Sequence, residues 1–493
     1  MASEYREPTY GNWRKPVSPG IGRLGLAGTL ILMVGLMVVT LMAMVSTLAS
    51  LITAIVVGLA ILPLVIQDQH GRTALQSATA RLNWWWGRSQ GWHLYRAGPL
   101  SVVPHGSCRL PGLLAASRLV EGRDSYGRPF ALVVIPSTRH YTVVFECNAD
   151  GAALVDQKQI DTWVAHWGHW LASLGYEPGL VGAGVTIETA PDLGHRLREE
   201  IHTHTDPNAP ELARAALEEI VWNYPVGSAR VSTRIAVTYG ALPHPGGKRR
   251  DQDAMVREIG MRIPGLISGL EMTGAGSARP MTADQLARSV RLAYDPGAQA
   301  PLDAAEDREA PWDDAGPTAT QESWDHYVHD SGHSITWGMT EAPRGEVLSS
   351  VMTGLVAPHH DIARKRVTFL YRPHDPVSAA RIVERDRKDT RFRLDGANNA
   401  ARSEIDVMKS DQSAIEEARG AGVTRFTVLV TATVHSAEEL PVAAAAVDTL
   451  SAPARLRLRR MYGSQAAAFA AALPLGIVLP DHLQVPAVVR EAM

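Results

Sequence analysis

Three histidines, His326, His329 and His333, stand at spacings that on a helix would bring imidazoles to one face, as a transition-metal site requires. Gly332 and the strand-like residues behind it argue against such a helix, and no carboxylate completes an H-E-x-x-H pattern. The pairs His202/His204 and His359/His360 are isolated and read as solvated or hydrogen-bonded rings. A phosphate-binding loop needs G-x-x-x-x-G-K-[ST], so that backbone N–H groups cradle the phosphates and the lysine reaches them. The nearest stretch, "HPGGKRR" at 244–250, has Gly247-Lys248, but Leu242 stands five residues before Gly247 and Arg249 follows the lysine. No G-x-G-x-x-G follows a strand, and no G-x-S-x-G elbow occurs. Cys108 and Cys147 have no C-x-x-C spacing and are expected to be reduced. The expectation is therefore no catalytic residue, no cofactor and no metal. A metal enzyme using His326, His329 and His333 stands as the alternative.

The strongest signal is physical rather than chemical. The chain has 493 residues and a formal net charge of −3, so it carries no global footprint for nucleic acid. From Leu24 to Ile66 it has no charged residue. As one helix that run would be about 65 Å long, twice what a bilayer accepts, and it lacks the polar stripe of a soluble helix. Two spans, Leu24–Val45 and Leu51–Gln67, joined by a turn at Ser46–Ser50, fit instead. Arg6, Arg14, Lys15 and Arg23 precede the run, Arg72, Arg81 and Arg88 follow it, and the turn has no basic residue. By the positive-inside rule both ends face the cytoplasm. The expectation is a multi-pass protein of the cell (inner) membrane, with a cytosolic arm over 1–23, a hairpin over 24–67 and the bulk of the chain cytoplasmic.

Residues 68–97 read as a connector at the membrane surface. Trp84, Trp85, Trp86 and Trp92 lie among arginines in "RLNWWWGRSQGWHLYR", and amphipathic rings of this kind settle at headgroup depth.

Beyond the connector, strand-like and helix-like segments alternate. "RPFALVVIP" and "RHYTVVFEC" predict a hairpin, and Ile160, Trp163, Val164, Trp167, Trp170, Leu171 and Leu174 recur at helical spacing. A helical stretch is expected over 251–293. These features place an α+β domain, of split βαβ type, over 98–294. Residues 295–323 are rich in Pro, Ala and acid without periodicity and read as a linker or exposed insert. A second α+β unit follows over 324–476, with Arg455, Arg457 and Arg459 on one face of a short basic edge strand. The tail, 477–493, is apolar yet broken by Pro480 and Pro486, which points to Ile477, Leu479 and Leu483 as a docking surface for a partner.

Several stretches resemble a family of actinobacterial integral-membrane proteins of type IV secretion, conjugation-like gene clusters: "YGNWRKPVSPGIGRLG", "GPLSVVPHGSCRLPGLLAASRLVEGRDSYGRPFALVVIP", "GAALVDQKQIDTWVAHWGHWLASLGYEP" and "GVTIETAPDLG". The resemblance covers most of the chain, and its motifs are structural. It implies that the first ~95 residues resemble the two-span inner-membrane subunit of such a system. The remainder, through "SITWGMTEAP", "VTFLYRPHDPVSAARIVERD" and "YGSQAAAFAAALPLG", resembles the N-terminal, non-motor domain of the conjugation ATPase. After Gly476 only "IVLPDHLQVPAVVREAM" remains, so the resemblance implies a companion ATPase on a separate chain. The expected partners are the bilayer, that ATPase and other channel subunits in a hetero-oligomeric complex. No sequence-specific nucleic acid is expected, and a subunit of another export machine, such as type VII secretion, is the further alternative.

Overall fold

The structure is a computed structural model that describes residues 8–13, 25–68, 71–99, 101, 107–192, 195–206, 208–223, 229–242, 247–304, 309–343, 345–395 and 400–483. Along the chain run α1 (Gly25–Ala43), α2 (Thr47–Val65), α3 (Ala74–Ser89), β1 (Leu94–Arg96), β2 (Arg118–Arg123), β3 (Pro129–Ile135), β4 (His140–Asn148), α4 (Gln157–Leu174) and β5 (Leu180–Pro191). Next come α5 (His195–His204), α6 (Glu211–Asn223), β6 (Ala229–Gly240), α7 (Gln252–Leu270), β7 (Ser277–Pro280), α8 (Ala283–Tyr294) and α9 (Gln299–Ala304). The remainder is β8 (Ala319–Glu322), β9 (Tyr327–His329), β10 (Gly332–Glu341), α10 (Thr353–Val356), β11 (Arg364–Pro373), α11 (Pro376–Asp395), α12 (Ala400–Ala418), β12 (Thr424–Val434), α13 (Leu440–Ser451), β13 (Arg457–Arg460) and α14 (Gln465–Ala471).

The two α+β units are not separate bodies. Among the described residues they form one antiparallel sheet in the order β1-β8-β9-β10-β12-β11-β5-β6-β4-β3-β2, with β13 beside β10 and β7 beside β4. Each unit is a split βαβ: β6 lies between β4 and β5, and β12 lies between β10 and β11. Each also carries a helical hairpin, α5/α6 or α11/α12, between its second and third central strands. The two meet where β5 pairs β11.

This order repeats about a pseudo-two-fold axis. Met281 N–H donates to Val144 O in the first unit, and Met461 N–H donates to Thr336 O in the second. The Thr142–Thr238 hydroxyl contact, 2.9 Å, has its counterpart in Ser334–Thr433, 2.7 Å. Extending those registers puts the axis at the Thr186–Thr368 pair, whose hydroxyls are 3.3 Å apart.

Helices cover both faces, so the central strands are buried on both sides; the face under α4, α7 and α13 is apolar, while the face under α8 and α14 also buries Thr142, Thr238, Thr186, Thr368 and Glu188. On one face α4 and α7 bury Tyr141, Val143 and Phe145, while α13 buries Trp337, Val428 and Val430. On the other, α8 and α14 share one core that spans both units, from Leu286 and Tyr294 to Phe469 and Leu473. The segment after α14 crosses the sheet closely enough that Gly476, at φ +68°, would drive a Cβ into the Thr238 and Thr142 hydroxyls.

Three expectations change. Residues 295–323 are folded where described: α9, a turn at Trp312–Asp314 and β8 occupy them, with residues 305–308 outside the described set. Their core is borrowed, which is why no periodicity showed. Ala315 is buried, the Trp312 indole N–H donates to Ser117 O at 3.2 Å, and Asp295 pairs Arg291 at 2.8 Å. The helical stretch over 251–293 is interrupted by β7, started by two left-handed glycines, Gly274 and Gly276. The connector over 68–97 ends inside the sheet, because Leu94–Arg96 pairs with β8.

Candidate functional site

The hairpin is built of two apolar helices joined at Met44–Ser46. Thr47–Ala49 belong to the first turn of α2, so the turn is shorter and earlier than Ser46–Ser50; Ser46 is its extended N-cap residue. Gly35 lets the helices touch, since a Cβ there would lie 2.5 Å from a Val57 methyl. Polar side chains spend their hydrogens internally: Thr40 donates to Met37 O, Thr53 to Ala49 O and Ser50 to Val39 O. Leu30, Leu36, Met37, Leu51, Ile55 and Leu59 are exposed. Among the described residues one helix, Thr47–Val65, is long and apolar enough to cross a bilayer, while the apolar run Gly28–Ala43 is shorter. Leu24 and the basic residues Arg6, Arg14, Lys15 and Arg23 lie outside the described residues.

An elbow follows α2. Asp68 N–H donates to Arg72 O and Ala74 N–H to Ile66 O, and Thr73 then caps α3 with a reciprocal bond to Gln76. On α3 the four tryptophans divide. Trp84 turns to the sheet domain, edge-on to Trp324 at 5.9 Å, and Trp324 stacks on Tyr462. Trp84 is thus a joint, not part of an outward face. Trp85 and Trp86 project outward beside Leu75 and Leu82, and Trp92 packs edge-on against Trp86 at 5.1 Å. Trp85 and Trp92 are each 69% exposed, a large apolar area for a folded surface to show to water.

Both flanks of the hairpin attach to one body. Before it, Tyr10 and Val347 exchange two backbone hydrogen bonds of 2.8 Å, the Asn12 amide donates to Lys409 O and Ser413 Oγ, and Trp13 lies edge-on to Phe426. After it, α3 and β1 bind Trp324 and β8. All these contacts fall on the second unit of the sheet.

The histidines weighed as ligands do not converge. His329 is fully buried on β9, its ring nitrogens 2.6 Å from Tyr294 O and 2.7 Å from Ser334 Oγ. Burial lowers its pKa to about 4, with Tyr294 O opposing the shift. His326 lies against Asp325, 2.9 Å away, and His333 is on β10. Among the described residues, His359, His360 and Asp361 are the one group close enough to share a cation, yet the His359 Nδ1 already accepts the Asp361 N–H. In the tail, Ile477 is 2% exposed and belongs to the α8/α14 core, so it presents nothing to a partner; Leu479 is half-buried and Leu483 exposed. Pro480 sits in a short 3-10 turn, Leu479–His482, and residues 484–493 lie outside the described residues. Phe469 and Leu473 are likewise core. Both cysteines are free.

The sequence offered no sign of the most polar feature of the interior. Glu188 on β5 accepts from Arg364 at 3.1 Å, Arg366 at 3.0 Å and Arg234 at 3.1 Å, from three different points on β11 and β6. Burial raises its pKa, but Arg366, Arg364 and Arg234 outweigh burial and hold the carboxyl well below the usual range. The Arg366 guanidinium also sits 5.5 Å from the Phe469 ring centroid.

Residues 17–76 match DUF8461, a domain of unknown function. The match takes in the hairpin and the elbow and stops in the first turn of α3. No curated protein matches the chain.

Proposed function

We propose that the chain is a non-enzymatic membrane scaffold of an export apparatus of the type IV secretion, conjugation-like class. Its hairpin, α1/α2, crosses the cell membrane twice. The sheet domain lies on the cytoplasmic side and docks a separate motor ATPase beside other channel subunits. The carrying observation is the attachment of residues 8–13 and of α3 to the same unit of the sheet. Two chain segments held on one body must leave and re-enter the bilayer from the same side, which fits two spans and not one. The exposed apolar surface of α2 and the basic residues on both sides of the hairpin support that arrangement. The family resemblance supplies the export class, and Leu483 with the residues after it is the candidate contact for the motor.

A reporter at either terminus should be cytoplasmic, and one inserted at Met44–Ser46 external; an external C-terminus sinks the reading. Truncation before Leu483 should leave unfolding cooperative and reduce recovery of a companion ATPase. Full recovery would move the docking surface elsewhere. The purified chain should not turn over ATP, and Lys248→Ala should change nothing, because Lys248 lacks a phosphate loop.

A further inference from the structure

From Pro8 to Val120 the sequence holds a single carboxylate, Asp68, at the elbow. Cations are plentiful over the same stretch, and four of its arginines follow the hairpin closely: Arg72, Arg81, Arg88 and Arg96. Arg81 and Arg88 are exposed on α3 and make no ion pair among the described residues. The sheet domain adds to this charge. Arg459 on β13 lies near enough to the elbow for Arg72 and Asp68 to act on it electrostatically, and its Nε–H is buried with no partner. Tyr462, just beyond β13, closes the stack Tyr462–Trp324–Trp84 that fastens α3 to the domain. Thus α3 is sandwiched. One side is bolted to the sheet domain; the other shows Leu75, Leu82, Trp85 and Trp86, flanked by cations and continuous with the end of an apolar helix.

We infer that the elbow, α3 and β13 form a docking surface for anionic lipid headgroups, in which Arg72, Arg81, Arg88 and Arg459 bind phosphates while the Leu75–Leu82–Trp86 face enters the headgroup layer. This rests on the anchoring role proposed above and adds a lipid preference to it. The hairpin alone is indifferent to headgroup charge, since α1 and α2 carry none. An arginine near a negative leaflet contributes about fivefold in affinity. Such a belt holds the sheet domain against the membrane and at a set height. Aromatic rings among arginines also suit single-stranded nucleic acid. Lipid is favoured because the rings lie on the outer face of a helix that begins a few residues after α2 ends.

The test uses the full chain in nanodiscs of phosphatidylcholine, with or without phosphatidylglycerol, and follows amide exchange. With phosphatidylglycerol, exchange across α3 and at Arg457–Arg460 should slow about tenfold, and ~0.5 M salt should reverse most of that. The pair Arg72→Ala and Arg459→Ala should lose the effect, while Arg72→Lys and Arg459→Lys retain it. Arg457→Ala, which removes a side chain already paired with Glu341 at 3.2 Å, should not matter. Equal exchange in the two lipids overturns the inference. So does equal slowing in neutral discs by a single-stranded oligonucleotide. If α1 and α2 are unprotected in both lipids, the anchor itself is wrong, and the lipid preference falls with it.

Discussion

The two units of the sheet share an order of elements but not a chemistry. Counted two residues from the axis in one direction, Glu188 pairs with Arg366; two residues in the other direction, Gly184 pairs with Leu370. One side of the axis thus carries a buried ion cluster, and its mirror carries a leucine over a glycine. The outer edges differ as well. Beyond β9 the second unit is extended by β8 and by β1, and it also receives residues 8–13. Among the described residues β2, the matching edge of the first unit, pairs with β3 alone. The backbone hydrogen-bond scheme thus tolerates unlike side chains at equivalent positions. Attachment to the hairpin is concentrated on the second unit, although the Tyr10 hydroxyl also reaches Asp161 on α4 of the first at 3.4 Å.

The largest effect should come from the ion cluster. Glu188→Gln keeps the shape but leaves the buried guanidiniums of Arg364 and Arg366 without their anion, Arg234 keeping Glu146 at 3.8 Å, and should cost about 3–5 kcal/mol. Leu370→Met, at the mirror position, should cost under about 1.5 kcal/mol. Thermal unfolding of the two purified variants compares them directly, and equal losses would show that the cluster is solvated rather than structural.

Acid should act next. The unfolded chain takes up protons on Glu188 below about pH 4.3, where the folded state, held in its depressed range, does not. Stability contributed by Glu188 is therefore present above that pH and lost as pH falls below it. His329 adds an earlier loss. Its unfolded pKa is about 6.5 and its folded value about 4, so stability declines as pH falls between them. In unfolding measured against pH, His329→Gln should flatten the slope between pH ~6.5 and ~4, and Glu188→Gln the slope below it. A slope unchanged in both variants would mean that other groups govern acid unfolding.

The tryptophans of α3 offer a smaller contrast. Trp84→Ala breaks the joint with Trp324 and should lower stability by about 1 kcal/mol or more, aromatic contact and lost burial together. Trp85→Ala, on the outward face, should stay within about 0.5 kcal/mol in detergent. If Trp85→Ala is the more damaging, α3 is packed the other way round.

Local patterns in the sequence were enough for local structure. The uncharged run Leu24–Ile66 indicated two helices because nothing polar interrupts it, and the periodicity of Ile160 to Leu174 marked α4. Which side of α3 faces the domain was not legible, since Trp84, Trp85 and Trp86 are chemically identical and differ only in azimuth. Nor was the status of 295–323 or of Ile477. Trp312 is held by Ser117, 195 residues away, and Ile477 joins a core that includes Val144 and Ala236.

What the amino-acid order determined by itself was the class of most segments: apolar hairpin, aromatic connector, alternating strands and helices. Those follow from hydrophobic period, charge and turn residues, which act over a few positions. Only the tertiary structure decided that the two α+β units share one sheet, that an axis passes through Thr186 and Thr368, and that Glu188 meets Arg234, Arg364 and Arg366. A carboxylate and an arginine 178 residues apart become partners through the pairing of β5 with β11. Pairing between distant strands is set by how whole faces bury against helices, and no short window of sequence records it.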